Sequence, residues 1–395
     1  MLNSNRSISI QIARGAQSIS EFGRDWDDLF ERAVDASPYL SRPWASTFIA
    51  EGRLPGAPLF VLAWCGTRLV ALLPLAIRSF LKARIAAPIG TGQGSYLGLL
   101  LDPGYSVAVE AMADRIVSEK IFDVYYSADL SSQDAATNDL LDELTKRGYC
   151  RRRVVRNPCY CIRLGTSFDE YLKRKIPRGE RRYKLRYQEK KLYKSADVRV
   201  TRYVGRDITP EVNRRVADIQ LESWMNRRGA AVLGQPFYQK LMANMAEGGF
   251  GRVWVMTLDG DDAAFAYSFV AHGQHHYYWP AFKLKYESSL SIGQMLLMHV
   301  IREACQDGIL LFDFVHGEAE YKRFWSTDSY SVYRAAAGRG VCGRFVAGLY
   351  FIEWQLARMK WLKSFYRRLK MKLHGVKHET AAFDPQRKAS GPAEV

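Results

Sequence analysis

Two short stretches in the second half of the chain combine residue types that could bind a phosphate and support acid–base chemistry beside it. The first is Ser291-Ile292-Gly293-Gln294, a small, glycine-containing start to a predicted amphipathic helix. The first turn of a helix leaves backbone N–H groups without intrahelical partners, and these groups attract anions. The second is the apolar strand 310–314, in which Asp313 is the lone acid. Together they indicate a phosphorylated cofactor next to polar chemistry.

Both stretches also have a purely structural interpretation. An ordinary capped helix could begin at Ser291, and a buried Asp313 must be paired or its pKa rises. Lys322 and Arg323 are candidate partners for that carboxylate. Both interpretations stay open at this point.

A run of histidine and aromatic residues, His275-His276-Tyr277-Tyr278-Trp279, lies in a predicted strand. Strict alternation puts His276 and Tyr278 on one face and His275, Tyr277 and Trp279 on the other. One face could line a substrate pocket, although ordinary aromatic packing within a sheet is the simpler explanation.

The first half holds a second candidate phosphate loop, Gly90-Thr91-Gly92-Gln93-Gly94. An isolated glycine-rich loop is weak evidence for phosphate binding, and a turn or bulge is the favoured interpretation.

The elements that must position these residues occur twice along the chain. Each half reads as strand, helices, three-strand meander, helix, strand, helix and strand. Phe122-Asp123 and Phe312-Asp313 occupy the same place, in the strand after the long helix. The matching order predicts an internal duplication, and 395 residues are too many for one typical core.

The net charge of +16 is concentrated in two segments. Residues 151–194 contain sixteen Lys or Arg and four Asp or Glu, and residues 344–374 contain eight and one. This distribution predicts anionic partners at two places.

The six cysteines are expected to be reduced thiols, and their spacing does not suggest zinc. With neither a signal-peptide pattern nor a membrane span, a cytoplasmic protein is expected.

The order of elements is similar to that of the GNAT acyltransferase fold. Residues 282–325 resemble the cellulose-biosynthesis-type (CelD-like) acetyltransferases of that superfamily. The residues that carry the resemblance are Phe282, Tyr286, Ser291-Ile292-Gly293, Phe312-Asp313-Phe314, Gly317, Tyr321-Lys322 and Trp325. Ile292 replaces a usual proline, His316 a common glycine, and the full pyrophosphate signature of ordinary GNAT enzymes is absent. The tandem arrangement also resembles the Fem-type aminoacyltransferases, which use charged tRNA.

The resemblance implies acetyl-CoA or another acyl-CoA as donor and no metal. Its pyrophosphate would lie at Ser291, Ile292, Gly293 and Gln294, and the aromatic strand's backbone would hold the reacting carbonyl. Asp313 would accept the acceptor's proton or orient the nucleophile. Tyr321 would protonate the leaving thiolate, and Lys322 would bind a substrate carboxylate or phosphate. The acceptor pocket would be formed by Trp224, His276, Tyr278 and Trp279.

The two basic segments keep several interpretations. The first has many cations around Tyr183 and Tyr187, which suits binding of RNA phosphates, an anionic substrate or lipid headgroups. It could equally be a solvated helix. The second, from Phe345 to Leu373, mixes apolar residues with cations. It is expected either to lie on an anionic membrane surface or to dock on the protein's own core.

We therefore predict an α/β (α+β) protein with two tandem GNAT-like domains, each a mixed, mostly antiparallel sheet flanked by helices. The predicted boundaries are 1–165, a basic helical linker at 166–196, 197–343, a basic amphipathic helix at 344–374 and a disordered tail at 375–395.

The predicted function is N- or O-acyl transfer from acyl-CoA to a small or glycan-linked acceptor, in bacterial polysaccharide or cell-envelope synthesis. The expected location is the cytoplasm, with peripheral association at the inner membrane. The alternatives are a Fem-like, tRNA-dependent transferase and a non-catalytic interaction protein with the same fold.

Overall fold

The computed structural model describes residues 7–287 and 291–357 of the chain. The elements up to residue 163 are β1 (Ile8–Arg14), α1 (Ile19–Arg32), α2 (Arg42–Ala50), β2 (Ala57–Cys65), β3 (Arg68–Phe80), β4 (Ala83–Pro88), β5 (Leu100–Leu101), α3 (Val107–Ser118), β6 (Val124–Ser131), α4 (Ala135–Lys146) and β7 (Cys150–Arg163).

The remaining elements are α5 (Phe168–Lys175), α6 (Gly179–Ser195), β8 (Val198–Val204), α7 (Pro210–Leu221), α8 (Trp224–Arg227), α9 (Pro236–Glu247), β9 (Gly251–Leu258), β10 (Asp261–Ala271), β11 (Gln274–Phe282), α10 (Ile292–Gln306), β12 (Leu311–Asp313), α11 (Glu320–Trp325), β13 (Asp328–Gly338) and α12 (Gly340–Leu356).

The described residues divide into two compact units, 7–157 with 330–357 and 158–287 with 291–329. In the first unit the strand order is β1-β2-β3-β4-β6-β13, with β5 beside β3. The β4–β6 pair is parallel, and the β1–β2, β2–β3, β3–β4, β3–β5 and β6–β13 pairs are antiparallel.

In the second unit the end of β7 is followed by β12, β11, β10, β9 and β8. The β11–β12 pair is parallel and its neighbours are antiparallel. Helices flank both sheets, so the predicted fold class, mixed and mostly antiparallel, is confirmed.

The basic segment predicted to link two domains packs instead into the core of the second unit. Helix α5 buries Tyr171 and Leu172, and α6 buries Leu185 and Leu192, in a cluster that also contains the inward face of α10. These apolar side chains explain why the segment belongs to that unit despite its charge.

The last strand also lies elsewhere than the predicted boundaries imply. Residues 332–338 of β13 pair with β6 of the first unit, although the prediction assigned them to the second domain. Helix α12 follows and buries Val346, Ala347, Tyr350 and Trp354 against the same sheet. Hydrogen bonding to a partner strand, which sequence spacing does not specify, decides this placement.

The predicted membrane helix lies partly outside the described residues, because α12 ends at Leu356 and the tail predicted at 375–395 is not described. Of the helices that the structure describes, none has the length and apolarity needed to cross a bilayer.

Candidate active site

The parallel pairing of β11 and β12 is short, and it ends at Asp313. Three pairs connect the strands, the last joining His276 to Asp313, and β11 then continues six residues further to Phe282. Beyond β12 the chain turns away through Val315, whose φ of +58° lies in the left-handed region. The two strands therefore separate at the predicted catalytic carboxylate.

A β-bulge in β11 lies just beyond this point. Tyr267 and Ser268 are consecutive in β10, yet they pair with Trp279 and Tyr277, so Tyr278 is the extra residue. Tyr277 packs with Phe312 on the α10 side of the sheet, whereas Trp279 packs on Tyr238 of α9. The predicted strict alternation was therefore wrong at Trp279, because a bulge shifts the side-chain period by one residue.

Asp313 is buried, and its carboxylate is hydrogen-bonded within the turn that follows. Oδ1 accepts from the backbone N–H of Val315 at 2.6 Å and from the thiol of Cys159 at 3.5 Å. The neighbouring His276 is also buried, and burial lowers its pKa against the opposing effect of Asp313. The imidazole is thus neutral at pH 7, beside an anchored carboxylate.

Lys322 holds the turn that follows β12. Its Nζ donates to the carbonyls of Phe314 at 2.7 Å, His316 at 3.0 Å and Val315 at 3.4 Å. Burial lowers the pKa of Lys322 to about 8. These contacts favour the structural interpretation of this lysine, because its donors are directed at the protein's own backbone.

Tyr321 precedes this lysine in α11 and is 36% exposed, with its ring nearly perpendicular to that of Phe314 at a centroid separation of 6.0 Å. Partial burial raises the pKa of Tyr321 above the ordinary value. The phenol therefore stays protonated at neutral pH and can donate a proton or hydrogen bond.

The start of α10 has the form expected of an anion-binding helix end. Ser291 adopts φ +49°, and its carbonyl accepts from the N–H groups of Gln294 and Met295. The N–H groups of Ile292 and Gly293 fall in the first turn, where a helix provides no internal acceptor. A Cβ on Gly293 would lie 3.0 Å from the ring of Phe282, so this glycine allows α10 to approach the end of β11.

Trp224 opens the short helix α8, with the guanidinium of Arg228 4.8 Å above its ring. The preceding Ser223 forms an antiparallel bridge to Lys283, the residue after β11. The structure thus places Trp224 near the far end of β11, whereas His276 lies near its start.

The glycine-rich loop of the first unit is a packing feature. A Cβ on Gly90 would lie 2.4 Å from Nε1 of Trp44, and one on Gly94 would lie 2.9 Å from the same ring. This contact supports the turn interpretation over a second phosphate loop.

Cys159 and the bulge at Tyr278 were missed by the sequence reasoning. Cys159 precedes Asp313 by 154 residues and reaches it only because β7 pairs with β12. The alternating Cys159-x-Cys161 pair in a strand was the available signal. Within the described residues, no group of three or more His, Cys, Asp or Glu could hold a metal ion.

Residues 179–323 match the family model described as "Acetyltransferase (GNAT) domain". This part of the chain is therefore similar to GNAT acetyltransferase domains. Among solved structures, a crystal structure of FemX is 12% identical over 79% of this chain and 95% of its own, with a TM-score of 0.58. The C-terminal domain of a putative lysylphosphatidylglycerol synthetase from Agrobacterium fabrum is 12% identical over 81% and 92%, with a TM-score of 0.51.

At these identities the two likenesses show the fold alone. No curated protein matched the chain. The CelD-like subtype therefore stays a prediction, as does the acceptor.

Proposed function

We propose that this protein transfers an acetyl or longer acyl group from acyl-CoA to an amine or hydroxyl acceptor. The observation that carries the proposal is the separation of β11 from β12 at Asp313, with a bulge on one side and the start of α10 at the end of β11. A thioester placed in this separation would have its carbonyl beside strand backbone. Its pyrophosphate would meet the first-turn amides of Ile292 and Gly293.

In the proposed reaction the acceptor nitrogen or oxygen attacks the thioester carbonyl and a tetrahedral oxyanion forms. Backbone N–H groups near the bulge would stabilise that charge, and positioning would supply most of the remaining rate. Asp313 would orient the acceptor or take its proton. Tyr321, protonated at neutral pH, would donate the proton that the leaving CoA thiolate needs. Lys322 would hold the turn that fixes Asp313.

The His276 and Tyr278 side chains would contact the acceptor, and Trp224 would border it from the end of β11. Trp279 would support this pocket without contacting the acceptor, since its ring packs among Tyr238, Tyr267 and Phe269. A glycan-linked or envelope-precursor acceptor is proposed from the CelD-like resemblance.

Acetyl-CoA binding tests the donor. Thermal unfolding in the presence of acetyl-CoA should shift upward by an amount that grows with ligand concentration, because a ligand that binds only the folded state stabilises it. The shift should be absent with free acetate. No shift at millimolar acetyl-CoA would contradict the proposal.

A second candidate, transfer from aminoacyl-tRNA, is favoured by the surface of α6. Tyr183 and Tyr187 are 69% and 56% exposed, and their stacked rings have centroids 6.4 Å apart. The exposed cations around them include Arg181, Lys184 and Lys191. Exposed rings among cations suit nucleotide bases and phosphates.

Replacement of both tyrosines by alanine separates the two candidates. Under the tRNA reading, the Tyr183→Ala/Tyr187→Ala variant should lose salt-sensitive tRNA binding. Under the acyl-CoA reading, wild type and variant should bind acetyl-CoA equally, and neither should bind tRNA specifically.

Peripheral membrane binding through the segment from Phe345 to Leu373 stays a proposal. The described part docks on the first unit's sheet, yet Phe345 and Ile352 remain 59% and 49% exposed on its outer side. Flotation with vesicles containing anionic lipid should recover the full chain. A chain truncated after Ala357 should lose most of that binding, and equal flotation of both would oppose the proposal.

A further inference from the structure

Residues 283–286, which follow β11, are tied to a single carboxylate. Three side chains of this segment reach Asp261: Lys283 Nζ lies 3.1 Å from Oδ1, Lys285 Nζ lies 3.0 Å from Oδ2, and the Tyr286 hydroxyl donates to Oδ2 at 2.8 Å. Asp261 is the first residue of β10 and follows the tight turn at Asp259 and Gly260. One acid thus receives every long polar side chain of residues 283–286.

This cluster is partly buried and remains ionised. Lys283 is only 7% exposed, and its Nζ also lies 3.2 Å from Glu222. Burial alone would raise the pKa of Asp261, yet the hydrogen bonds from Lys285, Tyr286 and Lys283 hold it below its ordinary value. The ion pairs are therefore present throughout the neutral range, with the Lys283 side chain buried and the Lys285 side chain half exposed.

The same segment is also attached to the predicted acceptor wall. The N–H of Leu284 donates to the carbonyl of Glu222 at 3.0 Å, and Ser223 forms its bridge to Lys283. Trp224 comes next in the chain. The residues that lead into the donor helix and those that open α8 are consequently held at the same end of β11.

We infer that Asp261 is a positioning residue for donor binding. It fixes residues 283–286 directly after Phe282, and the ring of Phe282 packs against Gly293, so Asp261 sets how the first turn of α10 lies relative to the end of β11. Asp261 does not contact the reacting atoms. The inference rests on the proposed function, in which the first turn of α10 binds the donor's pyrophosphate.

The adjacent Asp262 provides a matched control. It pairs with Arg215 of α7, whose guanidinium also donates to the hydroxyl of Tyr203, so it stabilises a different contact of the same strand. Asp261→Asn and Asp262→Asn each remove one partly buried charge, one residue apart. Only Asp261→Asn should release residues 283–286 from the contacts that hold them near α10.

The first measurement is amide hydrogen exchange of the full chain without ligand. Asp261→Asn should raise exchange in residues 283–287 and 291–296, and Asp262→Asn should leave both at the wild-type rate. Equal exchange of these residues in wild type and Asp261→Asn would overturn the inference. This result does not depend on the identity of the donor, so it separates failure of the inference from failure of the proposed function.

The second measurement is the Kd for CoA together with the steady-state constants. Asp261→Asn should weaken CoA binding by about tenfold, because the donor-binding residues are held less firmly. The kcat at saturating donor should change little, because no group that contacts the reacting atoms is removed. Asp262→Asn should keep the wild-type Kd. Equal loss of affinity in both variants would reveal a general stability effect and overturn the inference.

If Asp261→Asn fails to fold, Tyr286→Phe removes only one of the three donors. It should give a smaller rise in both exchange and Kd. A Tyr286→Phe protein identical to wild type in both measurements would then contradict the inference.

Discussion

Tyr277 and Trp279 lie on opposite faces of strand β11, although they are only two residues apart. The bulge at Tyr278 separates them, so that Tyr277 packs with Phe312 and Trp279 with Tyr238. A regular strand would place both on one face. The bulge therefore re-aims the backbone and side chains at the point where β12 ends.

This arrangement predicts different consequences for the two residues that follow Tyr277. Trp279→Ala should lower the free energy of unfolding by about 3–5 kcal/mol, because it empties a site among buried aromatic rings. Tyr278→Ala, at a half-buried position, should cost less stability and should raise KM for the acceptor. Urea unfolding and steady-state kinetics would measure both. A larger stability loss at Tyr278 than at Trp279 would contradict the described packing.

Asp313→Asn tests the proposed acid–base centre. An asparagine oxygen can still accept from the N–H of Val315, so the variant should fold with a nearly unchanged Tm. Turnover should fall by about 10²-fold, the usual effect of losing a positioned acid–base group. Asp328→Asn, which breaks a surface pair with Arg163, is the control and should keep wild-type turnover. Unchanged turnover in Asp313→Asn would remove this carboxylate from the mechanism.

The glycine loop of the first unit predicts a position-specific loss of stability. Gly90→Ala should destabilise by about 2–4 kcal/mol, because the left-handed φ and the overlap with Trp44 both oppose a Cβ. Gly92 also has a positive φ, but a Cβ there meets no heavy atom of the described residues within 4 Å. Gly92→Ala should therefore cost only about 1 kcal/mol.

Donor affinity distinguishes the two interpretations of this loop. A packing feature should leave the acetyl-CoA Kd unchanged in both folded variants. A loss of donor affinity with Gly92→Ala would instead favour the phosphate-loop interpretation.

The lowered pKa of Lys322 predicts that the free energy of unfolding depends on pH, with a defined sign. Its pKa is about 8 in the folded protein and 10.5 as an ordinary lysine, so the unfolded chain binds more protons between these values. Stability contributed by Lys322 should therefore rise with pH across that window. Relative to Lys322→Met, the wild type should gain about 2 kcal/mol between pH 7 and 9.5. A difference that stays flat over this range would show that Lys322 keeps its ordinary pKa.

Much of the fold followed from sequence because hydrophobic periodicity and turn residues act locally. The duplicated order of elements and the helix start at Ser291 are features of this kind, and the structure contains both. The fold class could be predicted for the same reason, because each half contains its own strand and helix patterns, and the structure confirms it.

Other features depend on contacts between distant residues. The bulge at Tyr278 needs a particular register with β10, and the bond from Cys159 to Asp313 spans 154 residues. The pairing of β13 with β6 likewise follows from partner choice, which alternation along one strand does not encode. The resemblance implies that Lys322 binds a substrate anion, whereas its Nζ donates to three backbone carbonyls that only the folded turn brings together.

A crystal structure of the full chain with CoA would test the proposed donor site directly. We expect the pantetheine arm between β11 and β12 beyond Asp313, with the pyrophosphate against the N–H groups of Ile292 and Gly293. CoA bound at another place, with side chains filling the separation between these strands, would contradict it.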